Sequence, residues 1–116
     1  MVNLKVKVYV QELKPLYQSI FLALSENLRT IYWIDFYNIN SLIDSLKSRK
    51  FTDYWNVKTN QMITLKININ QYESYRKLML KRSIIWEDPY LTMLHRKIIA
   101  DLDKRTLELK EIIVES

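Results

Sequence analysis

Two short stretches of strict apolar and polar alternation dictate what this chain can build. Residues 3 to 10 place Leu4, Val6, Val8 and Val10 on one face and Asn3, Lys5, Lys7 and Tyr9 on the other. This is the period-2 pattern of a strand with one wet face. Residues 63 to 70 repeat it, with Ile63, Leu65, Ile67 and Ile69 alternating with Thr64, Lys66, Asn68 and Asn70. A single strand leaves both edges unpaired, so the two are expected to pair with each other as an antiparallel ribbon, residues 3–10 with 63–69. Val6, Val8, Ile67 and Ile69 then face a layer of helices, while the lysines, asparagines and Thr64 face outward. The two stretches also match residue by residue: Leu4-Lys5-Val6-Lys7-Val8 recurs 61 positions later as Leu65-Lys66-Ile67-Asn68-Ile69.

Between and after these strands the periodicity becomes helical. Pro15 suits the first turn of a helix, and Leu16, Tyr17, Ile20, Leu24 and Leu28 recur at helical spacing, so a helix is predicted over 14–28. Residues 31–36 have strand-like composition, but Ile31, Ile34, Ile39, Leu42, Ile43 and Leu46 share one helical stripe. A second helix is predicted there, with Arg49 and Lys50 in its last turn. Residues 51–61 show no sustained period and read as a linker with two aromatic anchors. Asn70 and Glu73 have capping-box spacing before a helix over 71–84 that carries Tyr75, Leu78, Met79 and Arg82. Asp88-Pro89 opens a last, long helix to about residue 113, with the stripe Leu91, Leu94, Ile98, Leu102, Leu109 and Ile112. The fold class is therefore α+β and mostly helical: one strand-helix-helix unit over 1–50, a linker over 51–61, and a second unit over 62–116.

Composition removes most catalytic chemistry. The 116 residues include no glycine, so phosphate-binding loops, dinucleotide turns and nucleophile elbows are excluded. Cysteine is absent and His95 is the only histidine, which excludes zinc fingers, thiol catalysis, disulfides and histidine triads. Of the carboxylates, Asp101 with Asp103 and Glu87 with Asp88 are spaced so that they do not face one another on a helix. No enzyme activity, cofactor, metal or small-molecule substrate is expected. Eighteen Lys and Arg against 13 Asp and Glu give a net charge of +5, which favours an anionic partner. No stretch is apolar enough for a membrane span, and residues 1–7 do not resemble a signal peptide, so an intracellular location is expected.

A two-stranded ribbon fits the major groove of B-DNA, where lysine suits guanine O6 or N7 and asparagine suits adenine. At this point the chain resembles the ribbon-helix-helix family of transcriptional regulators in its tandem, single-chain form. Its glycine-free, Ile- and Tyr-rich style is similar to that of regulators encoded by filamentous viruses of hyperthermophilic archaea, for which the location would be the host cytoplasm. The resemblance implies a double-stranded DNA partner, read by the outward strand residues Asn3, Lys5, Lys7, Thr64, Lys66 and Asn68. It also implies phosphate contacts at the start of each unit's second helix. In the first unit these match Arg29 and Thr30, whereas the second presents Glu87-Asp88-Pro89, two acids and a missing N–H.

Arg76, Lys77, Lys81 and Arg82 form a basic helix face of the kind that ordinarily meets solvent, with Arg76 and Lys77 candidates for the DNA backbone. Trp33, Trp55 and Trp86 are expected in the core or an interface, and His95 is expected to be structural. The apolar stripe of the last helix exceeds what a small core covers, so a homodimer or higher assembly through that helix is expected, matching a palindromic site. The rival expectation is a small α+β interaction protein of viral type that inhibits or binds a host protein. A strand at 31–36 would give a three-stranded sheet and favour that rival.

Overall fold

The computed structural model describes residues 3–55, 57, 60–80 and 88–115, with side chains as far as residue 111. The order of elements is strand β1 (Asn3–Tyr9), a 3-10 turn (Val10–Glu12), helices α1 (Leu13–Glu26), α2 (Trp33–Leu46) and α3 (Arg49–Thr52), strand β2 (Met62–Asn68), then helices α4 (Ile69–Leu80) and α5 (Pro89–Glu115). The protein is α+β. Its sheet has two antiparallel strands, and 31–36 enters a helix, not a strand.

The pairing register sets Lys5 opposite Lys66, with Leu4 opposite Ile67 and Val6 opposite Leu65. In sequence, Lys66 is the counterpart of Lys5, Leu65 that of Leu4 and Ile67 that of Val6. Each strand thus faces the other as a two-fold axis through the lysine pair requires. Leu4, Val6, Val8, Leu65 and Ile67 are buried under the helices. Each such side chain contributes about 1.5–3 kcal/mol by leaving water, which fixes the ribbon's inner face, since a slip of one residue would turn the slipped strand's apolar set outward.

Packing is crosswise. Helix α2 lies against α4 and also against α1, while α5 lies against β1 and α1, so the second helix of each half reaches the first helix of the other. The two corners where strand becomes helix are tied the same way. At the first, Glu12 Oε1 accepts from the Tyr9 amide at 2.7 Å and Lys97 of α5 reaches the same carboxylate at 3.3 Å. At the second, Gln71 Oε1 accepts from the Asn68 amide at 3.1 Å, and the Gln71 side-chain amide donates to Ser41 of α2 at 3.0 Å. Asn68 Oδ1 in turn accepts from the Gln71 amide at 2.8 Å. Helix α4 therefore begins at Ile69 and is capped by Asn68 with Gln71, not by Asn70 with Glu73, because the strand ends as soon as its last pair, Asn3 with Asn68, is made.

Other boundaries move for local reasons. Helix α1 stops at Glu26 because the Asn27 side chain donates to the Ala23 carbonyl at 2.7 Å, which leaves Leu28 exposed instead of in the stripe. Helix α2 ends at Leu46, and Arg49 and Lys50 start the separate helix α3 because Ser48 is extended, at φ −58° and ψ 151°. The linker packs on the body: Phe51 is buried, and Trp55 stacks near Tyr17 with ring centroids 5.0 Å apart. Helix α5 begins as expected at Pro89. The predicted end of the helix before it, together with Lys81, Arg82, Trp86 and Glu87, lies outside the described residues.

Candidate functional site

The open face of the ribbon consists of four cross-strand pairs: Asn3 with Asn68, Lys5 with Lys66, Lys7 with Thr64, and Tyr9 with Met62. All are exposed except Asn68, which is half-buried. The fold therefore gathers the six outward residues named from the alternation onto one surface. Directly opposed residues have Cβ atoms about 4.5–5.5 Å apart, and like charges at that spacing destabilise a sheet. Lys5 and Lys66 occupy such a pair, with Lys7 diagonal to Lys66. None of the three has an acidic partner among the described residues, where the ion pairs are Arg76–Asp103, Lys77–Asp35, Lys97–Glu12 and Arg105–Asp101.

Two further lysines border this face, and alternation in sequence does not reveal them. The Lys97 ammonium lies 5.5 Å from the Tyr9 ring centre, held there by Glu12. Lys50, with Ser45 and Ser48, lines a shallow groove whose other wall is Thr64 to Ile67 of β2. Both are brought in by long-range packing. At the opposite end, Asn68 Oδ1 is engaged as a helix cap, so only its amide nitrogen remains available to a ligand.

The residues proposed for phosphate contact do not form one group. Arg29 and Thr30 are exposed in the turn before α2, and Thr30 Oγ1 donates to the Asn27 carbonyl at 3.3 Å. Arg76 is engaged by Asp103 at 3.1 Å, which raises its guanidinium pKa further. Lys77 reaches Asp35 at 3.4 Å while remaining 64% exposed. The two helix starts also differ. The first amides of α5 are occupied by Asp88, whose Oδ1 accepts from Tyr90 at 2.9 Å and Leu91 at 3.3 Å, so that end already holds a carboxylate. At the start of α2 the N-cap Tyr32 contributes no side-chain bond.

Around α2 the fully buried stripe begins at Asp35 and leaves Ile34 exposed, while Ile31, just before the helix, is partly buried against the core. Asp35 can occupy a core-facing position because Ser74 donates to its Oδ1 at 2.8 Å and Lys77 pairs with its Oδ2. This phase turns Trp33 outward, 78% exposed beside Tyr32 and Tyr37, so of the two expected places, core or interface, the core is excluded for it. Trp55 is partly buried against the core as expected, and its Nε1 is the one buried side-chain nitrogen or oxygen without a partner among the described residues.

His95 is wholly buried. Its Nε2 lies 2.6 Å from Ser19 Oγ and its Nδ1 2.7 Å from Tyr75 Oη. Ser19 already donates to the Pro15 carbonyl at 2.7 Å, so it accepts from Nε2–H, and Tyr75 donates to Nδ1. Burial lowers the imidazole pKa to about 4 and raises that of the Tyr75 phenol, so both are neutral at pH 7. The trio ties α1, α4 and α5 together and has no access to solvent. Among the described residues no cluster of His, Cys, Asp or Glu is arranged to hold a metal, and no helix is long and apolar enough to cross a membrane. Compared with protein families, curated proteins and solved structures, the chain matches none.

Proposed function

We propose that the chain is a sequence-specific DNA-binding regulator that inserts its ribbon into the major groove of double-stranded DNA. One observation carries this reading: Lys5 and Lys66 directly opposed, with Lys7 diagonal to them, all exposed and without acidic partners among the described residues. Such a cluster costs stability in the free protein, and a polyanion offsets that cost. The neighbouring Asn3 and Thr64 supply side chains able to discriminate base edges.

The two-unit ribbon-helix-helix arrangement belongs to the same proposal. It is supported by a register that sets the 61-residue repeat face to face, by crosswise packing of helices, and by matching ties at both corners. Arg29 and Thr30 at the uncapped start of α2 are the better phosphate contacts. Self-association through the last turns of α5, where Leu107 is exposed, completes the proposal.

The test is a fluorescence-anisotropy titration of a random-sequence duplex of about 20 base pairs. The Lys5→Ala, Lys7→Ala, Lys66→Ala triple variant is expected to bind at least tenfold more weakly than the wild type with an undiminished melting temperature, since surface substitutions cost under about 0.5 kcal/mol. Equal affinity of the two proteins would overturn the ribbon mechanism. Absence of duplex binding by the wild type would favour a protein partner.

A further inference from the structure

The pairing register of the ribbon is two-fold about Lys5 and Lys66, but its open face is not. When each residue is carried to its counterpart 61 positions on, Lys5 meets Lys66, whereas Asn3 meets Thr64 and Lys7 meets Asn68. The face therefore has two unlike ends. At one end stand Asn3 and Asn68, an uncharged amide pair backed by the neutral Gln71–Ser41 corner. At the other stand Lys7 and Thr64, followed by Tyr9 with the Lys97 ammonium near its ring. The helix starts repeat the inequality, since Asp88 occupies the first amides of α5 while the Tyr32 side chain leaves those of α2 uncapped.

We infer that one ribbon recognises a non-palindromic duplex core of about four base pairs, bound in a single orientation, with adenine under the Asn3 end and guanine under the Lys7 end. This rests on the DNA-binding reading of the ribbon and goes beyond it. A two-fold protein surface reads a palindrome because both half-sites meet the same side chains. Unlike ends impose unlike half-sites. From Asn3 to Lys7 the strand advances four residues, about 13 Å, which spans about four to five base pairs at about 3.4 Å per step. Asparagine recognises adenine through N6 and N7 together, which needs both of its amide atoms. Asn3 can supply both, whereas Asn68 Oδ1 is engaged by the Gln71 amide, so the adenine contact falls to Asn3. Lys7 presents an ammonium suited to guanine O6 and N7, whereas the Asn3 and Asn68 pair at the other end carries no charge.

The experiment is selection from a duplex library randomised over about eight base pairs, less than the helical turn of about 10 that separates two ribbons on one DNA face. Wild type and the Asn3→Thr, Lys7→Asn double variant are compared, because these two changes give the three pairs centred on Lys5 and Lys66 the same residue types on both strands. Both substitutions lie outward, and a thermal melt confirms that the variant is folded. Wild type is expected to enrich a non-palindromic core, binding it about tenfold more tightly than a palindrome made from either half. The double variant is expected to enrich a palindromic core instead. A palindrome selected by wild type, or the same core selected by both proteins, overturns this inference and leaves DNA binding intact. No enrichment by wild type overturns the DNA-binding reading and this one with it.

Discussion

The helical layer and the open face of the ribbon treat polar groups in opposite ways. Between the helices, polar side chains at the crossings have partners: His95 meets Ser19 and Tyr75, Asp35 meets Ser74 and Lys77, Gln71 meets Ser41, and Glu12 meets Lys97. On the open face three ammonium groups crowd together with no acidic partner among the described residues. A chain that pairs its charges across 85 residues, as Lys97 and Glu12 do, is able to pair these three as well. Left without acidic partners among the described residues, they keep the open face positive, which is the feature on which the proposed DNA binding rests.

The largest effect should come from breaking the most buried of these contacts. His95→Ala leaves a cavity among α1, α4 and α5 and strips the Tyr75 hydroxyl of its acceptor, so a loss of about 3–5 kcal/mol is expected in urea unfolding. Lys77→Ala, which removes a mostly exposed partner of Asp35, should cost about 1 kcal/mol or less. Comparable losses in the two variants would mean that burial does not rank these contacts.

A related effect should follow from acid. Unfolded, His95 takes up a proton near pH 6.5; folded, burial delays this to about pH 4. Between these values the unfolded chain binds more protons, so the His95 contribution is fully present above pH 6.5 and is lost as the pH falls toward 4. The loss amounts to about 3 kcal/mol. In His95→Gln this part of the acid dependence should vanish, and an unchanged pH profile would show that the imidazole is not held neutral in the fold.

Elements governed by local pattern were legible in the sequence, and those governed by distant partners were not. Alternation gave both strands and their faces, except that Val10 and Ile69 leave the strands for the 3-10 turn and α4, and the Asp88-Pro89 pair gave the start of α5. The capping of α4 was misplaced because Asn70 and Glu73 have the right spacing, yet the corner forms where Asn68 finishes its pairing with Asn3. The phase of α2 was misjudged at Ile34, which is exposed, since nothing near Asp35 in sequence announces that Ser74 will satisfy a buried carboxylate. For the candidate site, the six outward ribbon residues followed from period two. Lys97 and Lys50 arrive through contacts that no local periodicity encodes.

The smallest effect tests the open face itself and should have the opposite sign. Replacing Lys5 by threonine removes one of two directly opposed ammonium groups and introduces a residue favoured in strands. Lys5→Thr is therefore expected to stabilise the free protein by a few tenths of a kcal/mol, about 2 °C in melting temperature, while weakening its hold on duplex DNA. Thr64→Lys places a new ammonium opposite Lys7 and should destabilise by a similar amount. Repulsion between exposed charges is screened, with a Debye length of about 30 Å at 0.01 M salt and about 3 Å at 1 M, so both effects should shrink as salt is added, leaving only the strand preference of threonine. Thermal melts of the three proteins at the two salt concentrations decide the matter. A loss of stability in Lys5→Thr at low salt, or a gain that salt does not reduce, would mean that the lysines do not press on one another, and the contrast between a compensated interior and an uncompensated face would fail.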